Sequence, residues 1–262
     1  MVGQKHLLHT LDTYIENNDL PSFIIFYGPS GSGKKTIARY LANKIGNVIE
    51  TGVSVGDVRT VIDSCYNVHS ATAYIIPDAD NMSANAKNAL LKVTEEPPNK
   101  SHIIMTLEDM NNTLATIKSR ACAFPMECYT VEDMSEYIGD DENSDMLSMV
   151  CSTPGDVNVL NDSSAVDFYN YVEKVVDNIS EVTDANAFKI GSKVAIKEEG
   201  YDLKLFWKIF ITICMNRYSE DIDRYAKGVK ITSKYLAELR NKSINRQMAF
   251  DNWILEVRKA WM

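Results

Sequence analysis

The sequence lacks the cysteine pairs that hold zinc or form a disulfide framework. Its five cysteines are an odd number, and none stands at a CxxC or CxxxH spacing. Long apolar runs are also absent, and the start, Met-Val-Gly-Gln-Lys-His, does not lead into the apolar stretch of a secretory signal. These absences argue against a zinc module and a membrane protein, and they predict reduced thiols in the cytoplasm.

The sequence also lacks an excess of basic residues. Its formal net charge is −9, whereas a protein that binds nucleic acid by charge carries a concentrated basic face. Residues 224–262 differ, with nine basic residues against three acidic ones. Two interpretations of that segment remain open, namely solvated helix faces or a local contact with nucleic acid or an acidic partner.

Residues 1–125 alternate short apolar runs with helical patterns, which is typical of a parallel sheet covered by helices. Central strands, buried on both faces, are predicted at three apolar runs. These runs are Phe23–Phe26, Thr72–Ile76 and His102–Met105. Helices are predicted at residues 4–17, 34–45, 56–67 and 83–95, and the last of these must end before Pro97.

Beyond Pro125 the sequence has helical patterns and no comparable strand-like runs. Two or three short helices are predicted within residues 130–162, and longer amphipathic patterns cover residues 202–218 and 233–261. At 262 residues the chain is long enough for more than one domain. We predict an α/β domain over residues 1–126, a small helical lid over 127–163 and an all-helical C-terminal domain over 164–262.

A glycine-rich segment connects the first predicted strand to the helix at 34–45. Gly28, Gly33 and Lys34 have the spacing G-x-x-x-x-G-K of a phosphate loop, in which backbone N–H groups and a helix N-terminus cradle polyphosphate. ATP or ADP is the expected ligand, and the alternative is a glycine-rich turn that binds nothing. The candidate nucleotide-binding residues are Gly28, Pro29, Ser30, Gly31, Ser32, Gly33, Lys34, Lys35 and Thr36.

The metal side of this motif is altered. The position after the loop lysine should carry a hydroxyl that ligates Mg²⁺, but it is Lys35, and Thr36 is rotated by about 100° around the helix. In such ATPases a second conserved position is the end of the strand that corresponds here to Thr72–Ile76. Two acids should follow that strand, one that binds Mg²⁺ and one that activates the attacking water. Here Pro77 precedes Asp78, which is a weak candidate base. Both departures argue against a Mg²⁺ site and against hydrolysis by this chain.

Several longer strings of the sequence carry a resemblance to a known family. They are Gly3-Gln4, residues 26–36, Val55-Gly-Asp-Val-Arg59, residues 75–80, the Asn-Ala-Leu-Leu-Lys-Val-Thr-Glu-Glu-Pro-Pro string of residues 88–98, and Leu114-Ala-Thr-Ile-Lys-Ser-Arg120. Together they resemble the bacterial clamp-loader ATPases of the AAA+ class, in particular the delta-prime type of DNA polymerase III. The resemblance covers residues 1 to about 125. It implies a P-loop AAA+ domain, a helical lid and a C-terminal collar.

The resemblance also implies roles for individual residues. Arg120 stands where the family has a Ser-Arg-Cys motif, whose arginine reaches into the ATP site of the neighbouring subunit. Here Ala121 takes the third position, and the alternative for Arg120 is a surface salt bridge. Asp156 stands where the family has a lid arginine that senses the γ-phosphate, and a carboxylate would repel that phosphate.

The altered positions are thus those that act within one subunit, whereas Arg120 would act on a neighbour. In the resembling family this is the profile of a stator in a hetero-oligomeric ring that opens a sliding clamp and places it on primed DNA. Other clamp-loader subunits, the clamp and primed DNA are the implied partners. The alternatives are an independently active AAA+ ATPase and a non-enzymatic scaffold with a relic nucleotide site.

Two further expectations concern surfaces of the implied ring. A stripe in the C-terminal domain would be buried either in the collar between subunits or in the domain's own core. The stripe consists of Leu203, Phe206, Ile209, Phe210 and Ile213. Lys87 and Lys92 are expected to be solvated surface lysines, and the alternative, which the resemblance implies, is that they face the ring interior.

Overall fold

The computed structural model describes residues 2–98, 100–140, 144–160, 163–195, 203–239 and 244–262. Its contacts divide the chain into two compact units, Met1–Asp140 with Cys151–Asn158, and Asp141–Val150 with Val159–Met262. The predicted lid range, 127–163, is therefore shared between the two units, and the three-part division stays a prediction.

The first unit contains a parallel sheet of five strands in the described residues. They are β1 (Phe23–Tyr27), β2 (Asn47–Glu50), β3 (Thr72–Ile76), β4 (Ser101–Leu107) and β5 (Cys122–Pro125), in the order β2-β3-β4-β1-β5. The three predicted central strands are confirmed as β1, β3 and β4. Sequence reasoning missed β2 and β5, which lie at the two edges of the sheet, where exposure weakens the apolar pattern.

Helices cover both faces of this sheet. They are α1 (Lys5–Glu16), α2 (Lys34–Ile45), α3 (Val55–Cys65), α4 (Ala84–Glu95) and the single-turn α5 (Ala115–Lys118). Side chains of β1 alternate between the faces, so that Ile24 and Phe26 pack with α1 and α2, whereas Phe23 and Ile25 pack with α3 and α4. The four predicted helices of this part are confirmed to within two residues at each end.

Short helices follow β5, as predicted. They are α6 (Val131–Ile138), α7 (Ser144–Val150) and α8 (Pro154–Leu160). Proline at the first position of α8 costs no hydrogen bond, because the N–H it lacks has no acceptor within the helix. Thr153-Pro-Gly155 therefore separates α7 from α8 and at the same time starts α8.

The second unit contains helices and connecting turns, and no strand, in its described residues. Besides α7 it contains α9 (Ser163–Asn178), α10 (Asp184–Ala195), α11 (Leu203–Asn216), α12 (Ile222–Glu238) and α13 (Arg246–Trp261). The predicted pattern over 202–218 is α11, although residue 202 lies outside the described residues. The pattern over 233–261 is divided between α12 and α13, so a single continuous helix there would be wrong.

An aromatic cluster forms the core of this unit. The ring of Trp253 lies 4.9 Å from that of Phe210 and 5.5 Å from that of Phe206, centroid to centroid, and its Nε1 donates to Oγ1 of Thr232 at 2.9 Å. All five residues of the predicted stripe, from Leu203 to Ile213, are at most 2% exposed within the single chain. The stripe is thus core, and it does not supply a collar surface. No helix in the described parts of the chain combines the length and apolarity that crossing a bilayer requires.

Candidate nucleotide site

The carboxyl ends of three parallel strands lie at the same end of the sheet, and the segments that follow these strands form a cavity. The phosphate loop follows β1, Asp78 follows β3 and Glu108 follows β4. Together with residues near the N-terminus and residues at the start of α8, they line a volume of about 800 Å³. Small-molecule sites have volumes of roughly 300–1,000 Å³, so the cavity can accommodate a nucleotide.

The phosphate loop enters α2 through a glycine. Gly33 precedes the helix with φ of 85°, a left-handed conformation that residues with side chains rarely adopt. The first N–H groups of a helix have no acceptor within the helix, and the helix dipole adds positive potential there. The predicted strand, loop and helix are therefore all present, and they form a potential anion site.

Two side chains of the loop support this assignment. Lys34 is only 7% exposed, and its Nζ donates to the carbonyl oxygens of Gly28 at 2.8 Å and Pro29 at 2.7 Å. The hydroxyl of Ser32 is buried and has no hydrogen-bond partner among the residues that the structure describes. A buried hydroxyl without a hydrogen-bond partner lowers the stability of the fold by about 1–3 kcal/mol. A phosphate oxygen can accept a hydrogen bond from this hydroxyl. The loop therefore fits a phosphate group.

The side chains on the metal side form an ion pair with each other. Nζ of Lys35 lies 2.7 Å from Oδ2 of Asp78, the candidate base. The backbone of Asp78 is left-handed, with φ of 51°, and its N–H donates to Oγ1 of Thr106 at 2.9 Å. Pro77 supplies no carboxylate, and an ammonium group cannot ligate a cation. These residues do not fit Mg²⁺, although Asp78 and Thr36 both line the cavity.

Glu108 is a cavity residue that sequence reasoning missed. It directly follows β4, and that position after a buried strand was the available signal. The neighbouring acid Asp80 has a structural task, because its carboxylate accepts the N–H of Glu108 at 2.7 Å and Nδ2 of Asn112 at 2.9 Å. Asp80 thereby fixes the segment that presents Glu108.

The segment after β5 connects the N-terminus to the phosphate loop. Gln4 and Glu127 exchange two hydrogen bonds, from Nε2 of Gln4 to the carbonyl of Glu127 at 2.7 Å and from the N–H of Glu127 to Oε1 of Gln4 at 2.9 Å. The hydroxyl of Tyr129 donates to the carbonyl of Ser32 at 3.1 Å. Burial raises the pKa of Tyr129, so this hydroxyl stays protonated and remains a donor at neutral pH.

The start of α8 lies directly on the phosphate loop. The N–H of Gly155 donates to the carbonyl of Gly31 at 3.0 Å, and a Cβ added to Gly155 would lie 2.3 Å from Cα of Gly31. Asp156, at the expected position of the phosphate sensor, faces its own helix instead. Its carboxylate accepts the N–H groups of Ser152 at 3.2 Å and Thr153 at 3.1 Å, and Oγ1 of Thr153 accepts the N–H of Asp156 at 3.2 Å, which forms a capping box at the start of α8.

Arg120, the candidate finger, lies away from this cavity. Its NH1 donates to the carbonyl of Thr116 at 2.6 Å, and its NH2 forms an ion pair with Glu95 at the end of α4. Arg120 is not among the described residues that line the cavity. The salt bridge is therefore present within the single chain, whereas action on a neighbouring subunit stays a prediction.

The two lysines of α4 differ from each other. Lys87 is only 8% exposed and donates to the carbonyl of Asn112, whereas Lys92 is exposed. The expectation that Lys87 is a solvated surface lysine is wrong, because it connects α4 to the segment after β4. Its hydrogen bond helps to hold that segment beside the cavity.

Comparison with known proteins gives matches to DNA-replication proteins. A family model described as DNA polymerase III, delta subunit matches residues 55–129. The Replication factor C small subunit of Methanothermobacter thermautotrophicus is 29% identical in an alignment 160 residues long that covers 55% of this chain and 50% of that protein. DNA polymerase III subunit gamma of Buchnera aphidicola is 24% identical in an alignment 170 residues long that covers 53% of this chain and 47% of that protein. The chain resembles clamp-loader subunits.

The clamp-loader resemblance extends to the fold. A DNA polymerase III gamma subunit-related protein from Thermotoga maritima superposes with a TM-score of 0.59 at 17% identity, covering 96% of this chain and 99% of that one. The predicted fold is confirmed as a parallel sheet with a phosphate loop, followed by a helical C-terminal region. The chain spans about half the length of the Replication factor C small subunit and of the DNA polymerase III gamma subunit to which it is similar.

Proposed function

We propose that this chain is a clamp-loader subunit of the delta-prime type that completes a neighbour's ATPase site and does not hydrolyse ATP itself. Its similarity to replication factor C and DNA polymerase III gamma subunits supports the clamp-loader part, and the match of residues 55–129 to the delta family model adds to it. The ion pair between Lys35 and Asp78 carries the proposal of inactivity.

Inactivity follows from what phosphoryl transfer requires. The metal neutralises charge that develops on the transferred group, and a positioned acid or polar residue orients the attacking water. In this chain Lys35 replaces the hydroxyl ligand, Pro77 replaces one acid, and the remaining Asp78 is held by Lys35. Neither requirement is met at the three positions where the motif places these groups.

Arg120 is proposed to act in trans on the neighbouring subunit. Its ion pair with Glu95 is partly solvated, with side chains 28% and 52% exposed, and such pairs contribute only about 0–1 kcal/mol. The guanidinium group can therefore exchange Glu95 for a phosphate group at small cost. An arginine finger raises phosphoryl-transfer rates by roughly 10³–10⁵-fold.

The proposed partners follow from this role. They are the other subunits of a hetero-oligomeric loader ring, the sliding clamp, and primed DNA through the assembled complex, all in the cytoplasm. DNA contact is proposed only for the ring, because the chain's net charge of −9 opposes non-specific binding by the whole surface.

The proposal is tested by partner recovery and reconstitution. A native pull-down with the tagged chain should recover polymerase, clamp or loader subunits, and recovery of none would contradict the clamp-loader role. In the reconstituted ring, Arg120→Ala should lower ATP turnover at the neighbouring subunit's site by about 10³-fold or more. Lys118→Ala, a nearby loss of positive charge, should leave it unchanged.

The isolated chain provides the second test. It should show no ATP turnover beyond that of a Lys34→Ala variant prepared in the same way. Robust turnover that depends on Lys34 would contradict the stator role and favour an independently active ATPase.

A further inference from the structure

The charged residues of the cavity balance each other. Those among its described lining residues are Lys34, Lys35, Asp78 and Glu108. A site that binds polyphosphate through Mg²⁺ presents carboxylates, because the metal supplies the positive charge between them and the phosphates. This cavity has a cation of its own beside its acids, covalently attached to the chain.

Lys35 lies between the elements that a metal would bridge. It belongs to the first turn of α2, directly after the phosphate loop, and its Nζ is 2.7 Å from the carboxylate that follows β3. An ammonium group has three N–H donors, so a bond to one carboxylate oxygen leaves donors for phosphate oxygens. Lys35 can therefore contact a carboxylate and a phosphate at the same time.

The replacements at positions 35 and 77 also compensate in charge. In the metal-dependent arrangement a dication faces carboxylates at the two positions that end the acidic strand. Here Pro77 removes one of these carboxylates, and the ammonium group of Lys35 opposes the other, Asp78. A dication with two carboxylates has a net charge of zero, and so does the ammonium group of Lys35 with the carboxylate of Asp78. Lys35 and Pro77 are thus a matched exchange, and they need not be two independent losses.

The ion pair is also accessible to a ligand. The side chains of Lys35 and Asp78 are 46% and 51% exposed, and exposed pairs contribute about 0–1 kcal/mol. The ammonium group can therefore shift toward a phosphate at small cost. Nearby, Lys34 and the unpartnered hydroxyl of Ser32 already fit a phosphate group.

We propose that the ammonium group of Lys35 takes the place of Mg²⁺, so that this chain binds a nucleoside di- or triphosphate without a divalent metal. This inference rests on the nucleotide cavity described above, whose lack of hydrolysis is part of the proposed function, and it does not depend on assembly into a clamp loader. It describes binding, and it provides no means of hydrolysis.

Equilibrium binding of fluorescent ATP and ADP analogues to the purified 262-residue chain tests the proposal. Each titration is made with magnesium chloride and again with EDTA. The unaltered chain should bind with affinities that agree within about threefold in the two buffers. Lys35→Thr, which restores a hydroxyl, should bind about tenfold or more weakly in EDTA and recover with magnesium. Lys44→Thr, on the same helix, should behave as the unaltered chain does.

A second variant separates the charge from the fold. Lys35→Met keeps much of the side-chain length but has neither an ammonium nor a hydroxyl group, so it should bind weakly in both buffers. Circular dichroism of each variant checks that α2 and the sheet are intact.

Three results would overturn the proposal. They are a loss of about tenfold or more for the unaltered chain in EDTA, a Lys35→Thr variant that is as indifferent to metal as the unaltered chain, and binding of neither analogue. None of them changes the pull-down or the effect of Arg120→Ala in the ring. Failure of this inference can therefore be distinguished from failure of the proposed clamp-loader role.

Discussion

The two walls of the nucleotide cavity differ in how much of an ATPase they keep. The phosphate wall, residues 28–34, keeps its glycines, its buried lysine and its entry into a helix. The metal wall, formed by Lys35, Asp78 and Glu108, keeps only one of the two acids expected after β3, namely Asp78, and presents an ammonium group to it. Backbone N–H groups bind phosphate whatever the side chains are, whereas a metal requires oxygen ligands. Phosphate binding can thus persist after the metal site is lost.

The largest expected effect concerns the phosphate wall. Lys34→Ala should lower the affinity for the ATP analogue by roughly 10–100-fold, because hydrogen bonds to charged groups contribute about 1.5–3 kcal/mol. The loss should appear in EDTA as well as in magnesium. Lys44→Ala, which removes an exposed lysine of the same helix that pairs with Asp12, is the matched control. Equal affinities of the two variants would show that the phosphate wall does not bind nucleotide.

The next effect concerns the support of the phosphate wall by α8. Gly155→Ala should lower the free energy of unfolding by about 1–3 kcal/mol, because the added methyl group would overlap the backbone of Gly31. Urea unfolding measures this change. In Gly56→Ala the added Cβ meets only Oγ of Ser54, at 3.7 Å, so that variant should be neutral or gain up to about 1 kcal/mol. Equal stability of both variants would contradict the close contact.

A smaller effect is expected from the hydroxyl of Tyr129. Tyr129→Phe should reduce the free energy of unfolding by about 1 kcal/mol, since the carbonyl of Ser32 loses its donor. Tyr137→Phe removes a more exposed hydroxyl, which donates to Asn158, and it should change stability by less than about 0.5 kcal/mol. Thermal or urea unfolding of the two variants gives the comparison. A larger loss of stability for Tyr137→Phe than for Tyr129→Phe would contradict this prediction.

The smallest expected effect is a change in nucleotide affinity on replacement of Asp78, and its direction distinguishes a metal-independent site from a metal-dependent one. Asp78→Asn should raise the affinity for nucleotide in EDTA by about threefold, because the ammonium group of Lys35 is released and a negative charge is removed. In a metal-dependent site, loss of this acid would lower the affinity in magnesium. Asp63→Asn, an exposed change on α3, is the control in the same titration. A marked loss of nucleotide affinity in magnesium for Asp78→Asn would show that the metal wall still binds Mg²⁺.

The central part of the fold could be predicted because burial is visible in the sequence. β1, β3 and β4 are apolar runs covered on both faces, and α2 begins at the loop lysine as the motif requires. The edge strands could not be predicted in this way, since β2 is exposed along its whole length. The division of residues 233–261 into two helices was also missed, because helical periodicity continues on both sides of the break.

The site was predictable only where a local motif defines it. Lys34, Lys35 and Asp78 could be named from their spacing to glycines and strand ends, and all three line the cavity. Tyr129 and Gly155 reach the loop through the tertiary fold from positions far along the chain, and no local pattern marks them. The ion pair between Lys35 and Asp78 likewise required coordinates, although each departure was visible alone.

The contact between Gly31 and Gly155 has a consequence for comparing related sequences. A Cβ at position 155 would lie 2.3 Å from Cα of Gly31, and a Cβ at position 31 would lie 2.5 Å from Oγ1 of Thr153 and 3.0 Å from Cα of Gly155. A relative with a side chain at position 155 must therefore separate the loop from the start of α8, and one with a side chain at position 31 must move Thr153 and adopt a strained backbone with φ near 80°. Joint presence of both glycines should therefore mark the chains that share this closed arrangement, and loss of either should mark those that do not.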